Sequence, residues 1–261
     1  MLALLATMAL TAAPDWKLVW SDEFNGSGLP DPKKWGYEKG FIRNHEAQFY
    51  TERRTENVRQ EGGKLVIEAR KDDFEGHPIS SGSINTRGKG DWTYGRIEVR
   101  AKIPTGKGTW PAVWMLGSNI DTIGWPRCGE IDMMENVGFD PARMHFNIHN
   151  PKMSGAKGSV SSFNTVMEKP WEAFHTYAME WFPDRLDLFM DGKKMLSYLN
   201  DGRGDEETWP YHRPQYLLLN VAIGGDWGGQ QGIDDTIFPC RMEVDYVRVY
   251  RDKNLKWPTD I

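Results

Sequence analysis

Charged and apolar residues alternate without a break through Arg96, Ile97, Glu98, Val99, Arg100, Ala101, Lys102 and Ile103. A period of two puts the charges on one face and the apolar side chains on the other, as in a half-buried strand. A shorter strand over 64–69 follows the Gly62-Gly63 turn. The run 185–190 passes through Asp191-Gly192 into 193–196, a hairpin signal, because that dipeptide accepts the positive φ angles of a two-residue turn. Further strands are predicted at 112–116, 130–136, 144–149, 177–181, 216–221 and 242–250. No window sustains a 3.6-residue period over three turns. Many short strands without helical interludes predict an antiparallel sandwich.

Length and composition narrow this picture. The chain has 261 residues, with 12 Trp, 11 Phe, 9 Tyr, 27 Gly and 15 Pro. Disorder, collagen and coiled coil are excluded, and one domain from about residue 15 to 261 is expected, with no linker or repeat. A net charge of −5 argues against nucleic acid or an anionic membrane as partner. Residues 1–13 are apolar and small and end in Thr11-Ala12-Ala13, which reads as a signal peptide; its missing basic start suggests truncation, and a disordered extension is the alternative. No segment is long enough to span a bilayer. Cys128 and Cys240 leave one disulfide open as an option. Asn25-Gly26-Ser27 is a glycosylation sequon, meaningful only in a eukaryotic secretory route.

The stretch Gly129 to Asn136 carries the chemistry. In a regular strand Glu130 and Asp132 share one face, while Glu135 points to the opposite side with Ile131 and Met133. Burying a lone carboxylate there costs several kcal/mol. One extra residue, a β-bulge at Met133-Met134, returns Glu135 to the face of the other two acids. Like charges so placed raise at least one pKa, which separates an acid from a base. Two carboxyls on one site are the equipment of glycoside hydrolysis. An inert acidic strand on a wet face is the alternative.

The surroundings favour sugar. Trp110 and Trp114 lie four residues apart, hence on one face of a regular strand, and Trp125 lies five residues before Glu130. Pyranose rings pack C–H faces on aromatic planes while their hydroxyls need polar partners, for which Asn44, His45, Glu46 and Gln48 are candidates. Trp16, Trp20 and Trp181 are expected to pack in the core or sheet. His145, Asn147 and His149 share a strand face, an arrangement that could also bind a metal.

These residues closely resemble the catalytic motif of glycoside hydrolase family 16, laminarinase type, over Trp125 to Glu135. The segments 44–51, 108–116, 219–225 and 244–250 are similar to the same family, so the resemblance covers residues 16 to 250. It implies a concanavalin-like β-jelly-roll sandwich with a cleft on the concave sheet, and hydrolysis with retention. By resemblance Glu130 is the nucleophile, Glu135 the general acid/base, Asp132 the residue that tunes them, and His149 a cleft residue. The family often carries a structural calcium, for which Asp245 matches the carboxylate ligand with backbone carbonyls near Glu23 and Gly63. Ser83 stands where family members commonly carry arginine, and whether Arg87 replaces it stays open.

The expected activity is an endo-β-1,3-glucanase acting on laminarin-type β-glucan, secreted or periplasmic, monomeric and without an organic cofactor. The alternatives are the same chemistry on mixed-linkage β-glucan or a galactan such as agarose or carrageenan, or a lectin on the same sandwich. A lectin has no use for paired glutamates.

Overall fold

The computed structural model describes residues 13–152 and 161–255. All but the last residue of the expected leader at 1–13 lies outside them. The described residues form two stacked sheets. The ten-stranded sheet runs from the hairpin Lys193–Leu199 and Arg185–Met190 through His175–Phe182, Gly95–Lys102 and Cys240–Asp252 to Lys64–Phe74 and His77–Ser81. The eight-stranded sheet orders Ser161–Val166, Arg143–His149, Glu130–Asn136, Thr109–Gly117, Gln215–Ile223, Ser83–Asn85 and Gly36–Tyr37. Among the described residues, pairing is antiparallel except where Phe49–Tyr50 runs parallel to His77–Ser81. The antiparallel sandwich expected from the alternation is the observed fold.

Alternation explains the layering. Ile97, Val99 and Ala101 are fully buried between the sheets while Arg96, Glu98, Arg100 and Lys102 face outward. From the facing sheet Val113, Met115, Ile131, Met133, Phe146, Leu217 and Leu219 close the same core. Each such side chain contributes on the order of 1.5–3 kcal/mol on burial. Trp181 joins this core, whereas Trp20 is half-buried and packs edge-on to Trp35 and Trp92. The 185–196 hairpin turns as expected, with positive φ at both Asp191 (49°) and Gly192 (77°).

A second apolar cluster, Ala112, Trp114, Leu116, Cys128, Tyr216 and Leu218, lies on the opposite face of the eight-stranded sheet. Cys128 belongs to it and Cys240 to the core between the sheets, and both thiols are free. The disulfide left open by the sequence is absent. Among the described residues four short helical turns interrupt the strands, at Ile120–Ile123, Pro210–His212, Gly225–Gly228 and Asp235–Ile237, and none is long and apolar enough to cross a membrane.

Candidate active site

Register fixes the acids. Against the neighbouring strand, Ala112 pairs with Glu135, Val113 with Met134 and Trp114 with Asp132, which leaves Met133 as the extra residue. The partner on the other side agrees, since Asp132 pairs with Asn147 and Glu135 with His145. Met133 and Met134 are both fully buried. The bulge therefore absorbs one residue into the core side and returns Glu135 to the face of Glu130 and Asp132.

All three carboxyls open into a cleft of about 990 Å³. The sequence-predicted residues Asn44, Trp110, Trp114, Trp125 and His149 line it as well, as do His145 and Asn147. Asn44 and Trp125 arrive from turns, and the others by strand parity from Thr109–Gly117, Glu130–Asn136 and Arg143–His149, whose alternate residues Val113, Met115, Phe146 and Ile148 fill the core.

Each acid has a distinct environment. Glu130 Oε2 accepts the indole N–H of Trp125. Glu135 Oε1 accepts from Trp110 Nε1 at 3.0 Å and its Oε2 from Asn147 Nδ2 at 2.8 Å, with Asn147 held in turn by Ser162 Oγ at 2.6 Å. Burial raises Glu135, the charge of Glu130 raises it further, and the two donors act against that shift. Asp132 is pushed well above the usual carboxylate range by burial, then by Glu135 and Glu130. His149 Nε2 lies 2.9 Å from Asp132 Oδ2. Burial opposes the imidazolium, but Asp132 outweighs it and lifts His149 to about 10. Across this contact each of the two groups favours its protonated form. Tyr211 Oη donates to the His149 carbonyl at 2.6 Å and anchors that strand end.

The cleft therefore holds two carboxyls with different hydrogen-bond partners, an arrangement that can serve as an acid/base pair. Glu135 is poised to keep a proton, and Glu130 presents an oxygen to the space between them.

The tryptophans are not equivalent. Trp125 is 46% exposed and Trp110 is half-buried against Trp227, with ring centroids 5.5 Å apart and nearly perpendicular. Trp114 is only 6% exposed: its indole donates to Asn220 Oδ1 at 2.7 Å and the Arg43 guanidinium lies 4.9 Å from its ring. It is a wall of the cleft and not an open stacking face.

Of the polar candidates near Asn44, only Asn44 and Glu46 line the cleft. Gln48 is buried, donating to Glu46 Oε2 at 2.7 Å and accepting from the Ile223 amide at 2.7 Å. His45 points outward and pairs with Asp226 at 3.0 Å. Burial raises Glu46 despite Arg43 nearby.

Several residues escaped the sequence reading. Trp227 closes the cleft beside Trp110 and packs 4.8 Å from His145. Its only signal is the Gly224-Gly225 turn that precedes it. Arg43 pairs with Glu38, which also accepts from Ser83 Oγ at 2.6 Å. The position where family members carry arginine thus holds a carboxylate in place, and an arginine comes from position 43. Arg87, the other possibility, stacks 5.4 Å from Tyr216 and pairs with Asp121 at 2.7 Å.

Glu130, Asp132 and His149 also bring three ligand atoms within 4.8 Å of one another. Of the His strand only His149 belongs to this group, and His145 is not part of it. The calcium expectation meets a different obstacle. Asp245 sits on the ten-stranded sheet, beside a register shift between Val244 and Tyr246, and its Oδ2 accepts from Arg100 Nη1 at 2.5 Å. The Glu23 carboxylate is held by Arg248 through two bonds of 3.0 and 2.8 Å. A hard dication needs uncommitted oxygen donors. In this structure Arg100 occupies the Asp245 carboxylate, while the backbone carbonyls of Glu23 and Gly63, the other expected ligands, take no part in these ion pairs.

Comparison with known proteins agrees with this geometry. Residues 45–248 match the model of glycosyl hydrolases family 16. A beta-glucanase of Rhodothermus marinus is 46% identical over 248 residues, 92% of this chain and 86% of that protein. A keratan-sulfate endo-1,4-beta-galactosidase of Sphingobacterium multivorum is 35% identical over 92% of this chain, which spans 56% of that longer protein. Among solved structures, the non-specific endo-beta-1,3(4)-glucanase SCLam, crystallised with 1,3-beta-D-cellotriosyl-glucose, superimposes with a TM-score of 0.86 at 48% identity, covering 94% of this chain and 97% of that one. With three carboxyls gathered by a bulge on one face of a two-sheet sandwich, and a family match spanning most of its length, this chain belongs to glycosyl hydrolase family 16.

Proposed function

We propose that this protein is a retaining endo-β-1,3-glucanase acting on laminarin-type polysaccharide. The observation that supports it most is the bulge at Met133, which puts Glu135 and Glu130 on one cleft face in unlike environments. Glu130 attacks the anomeric carbon while Glu135 gives its proton to the departing glycosidic oxygen, through an oxocarbenium-like transition state. The negative charge of Glu130 offsets the positive charge developing at the anomeric carbon and is neutralised as the glycosyl ester forms, and Trp125, which donates to Glu130 Oε2, orients that carboxylate. Glu135, now ionised, takes a proton from water, which attacks the ester and frees the sugar with its configuration retained. Asp132 and His149 form the floor that holds a proton beside Glu130 and limits the number of negative charges in the cleft.

Mixed-linkage glucan is the second substrate to test, because SCLam, 48% identical, is described as a non-specific 1,3(4)-glucanase. A polymer of this kind is met outside the cytoplasm, so secretion or periplasmic location belongs to the same proposal, as does action as a monomer. N-terminal sequencing of the mature protein tests the first and sedimentation the second. Reducing-end assays on laminarin, lichenan, agarose and carrageenan test the substrate. Laminarin is expected to be cleaved fastest and the galactans not at all; faster release from agarose or carrageenan would overturn the assignment.

A further inference from the structure

Outside the cleft, an aromatic patch stands where the fold has no packing use for it. Phe41 is 58% exposed, the most exposed aromatic side chain among the described residues. Its ring lies 5.6 Å from Phe49 and 5.3 Å from His77, perpendicular to both, while Phe49 and His77 stack in parallel at 4.2 Å. Phe74 extends the patch at 6.2 Å from Phe49, and the Arg54 guanidinium covers its far end 4.5 Å from the Phe74 ring. The ring nitrogens of His77 take no hydrogen bond among the described residues, which leaves a polar edge beside the apolar rings.

The patch meets the cleft rim through the chain itself. Ile42, the neighbour of Phe41, is 42% exposed and lines the cleft wall. The segment between them is held at both ends. Gly40 exchanges two backbone hydrogen bonds with Tyr50, at 2.9 and 3.0 Å, and the Asn44 carbonyl accepts from the Asp226 amide at 2.8 Å. Gly40 adopts φ of +102°, a conformation that a side chain would strain. Phe41 is therefore displayed on a fixed rim and not on a loose loop.

We propose that this patch is a second glucan-holding surface, on which polymer leaving the cleft past Ile42 lays its pyranose C–H faces against Phe41 and the Phe49–His77 pair. The occupant is the substrate chain itself, because Phe41 stands next to the cleft-lining Ile42 on the same held rim and the chemistry is the same: aromatic planes for C–H faces and a ring-nitrogen edge for hydroxyls. The inference rests on the β-glucan reading of the cleft. Short oligosaccharides end inside the cleft and do not reach the patch.

The test compares Phe41→Ala and Phe41→Trp with the parent enzyme, on laminarin polymer and on an aryl β-laminaribioside. Phe41→Ala is expected to raise KM for the polymer about fivefold to tenfold, one aromatic–sugar contact. Its kcat and its kinetics on the short glycoside should stay unchanged, and Phe41→Trp should restore polymer affinity. Affinity electrophoresis in laminarin gels, with the Glu130→Gln background silencing turnover, reads the same loss as faster migration of Phe41→Ala. Equal kinetics on both substrates, or an equal loss on both, would overturn the surface. Absence of any laminarin cleavage by the parent enzyme would instead sink the cleft reading, while the gel still reports on the patch.

Discussion

Two aspartates, one on each sheet, have side chains equally shielded from solvent, at 2% exposure, and opposite electrostatics. Asp187, on the ten-stranded sheet, is pushed up by burial, but Lys194 at 2.8 Å, Ser197 and Arg185 at 3.1 Å outweigh that and bring it below its ordinary value. Asp132, on the cleft sheet, has Glu130 and Glu135 as neighbours and one imidazole as partner, and it ends well above. Depth alone does not set the protonation of a carboxyl; the charges around it do. The pattern extends across each sheet. Arg96 bridges Glu98 and Glu180, Arg59 and Arg70 clamp Glu68, and Arg100 holds Asp245, so the outer face supplies a cation to each of these acids. The bulged strand of the cleft sheet gathers three acids and answers them chiefly with neutral N–H donors and His149. One sheet arranges its charges for stability and the other for reactivity.

Exchanging members of this contrast should have very unequal effects. Glu130→Gln is expected to lower kcat on laminarin by about 10⁴-fold or more, with the melting temperature unchanged or raised. Retained turnover would break the comparison at its centre. Glu135→Gln should lose a similar factor on polysaccharide, yet on a glycoside with an acidic phenol leaving group it should still show a burst of phenol, since that departure needs no proton. Equal losses on both substrates would remove Glu135 from the acid role.

On the other sheet, Asp187→Ala should leave kcat intact. It should cost about 1–3 kcal/mol in urea unfolding, moderated because Lys194 and Arg185 are partly solvated. A change in kcat there would show that the sheets are not separable.

Asn147→Ala probes the donors that restrain Glu135. Removing a hydrogen bond to the carboxylate disfavours its charged form, so its pKa rises further and the acid proton survives to higher pH. The alkaline limb of kcat should move upward by up to about one pH unit. A downward shift would mean that Asn147 opposes ionisation. The smallest effect is expected from chelation. With Arg100 and Arg248 already on Asp245 and Glu23, EDTA should leave the melting temperature unchanged, and a rise of several degrees on adding calcium would show the cation displacing Arg100.

Much of this contrast was legible from spacing. The clean alternation of 96–103 named the outward charges and the buried Ile97, Val99 and Ala101, because a period of two admits no other half-buried placement. The bulge was legible for the opposite reason. Glu135 violated the parity of Glu130, and a carboxylate cannot be left among Ile131 and Met133. Trp110 and Trp114 followed from parity too, but their unequal exposure did not, since Arg43 covers Trp114 from a segment 71 positions away in the chain. Trp227 was hidden likewise. It reaches Trp110 from a turn whose place is fixed by the bond between Asp226 and Asn44, a long-range contact with no local pattern. At Asp245 sequence shows the carboxylate but not Arg100, which reaches it from the adjacent strand.

The two free thiols have a practical consequence. Burial, then Glu130, pushes Cys128 up to about 11, and burial, then Glu68, pushes Cys240 up to about 12. In the folded protein neither offers alkylating reagents an accessible thiolate. Labelling therefore proceeds only through openings of the native state, and its rate counts them. Cys128 sits under the cleft and Cys240 between the sheets, so the pair forms two clocks in one molecule. If the cleft side loosens while the sandwich holds, Cys128 will run fast and Cys240 slow; if both keep the same time, the two sheets come apart together.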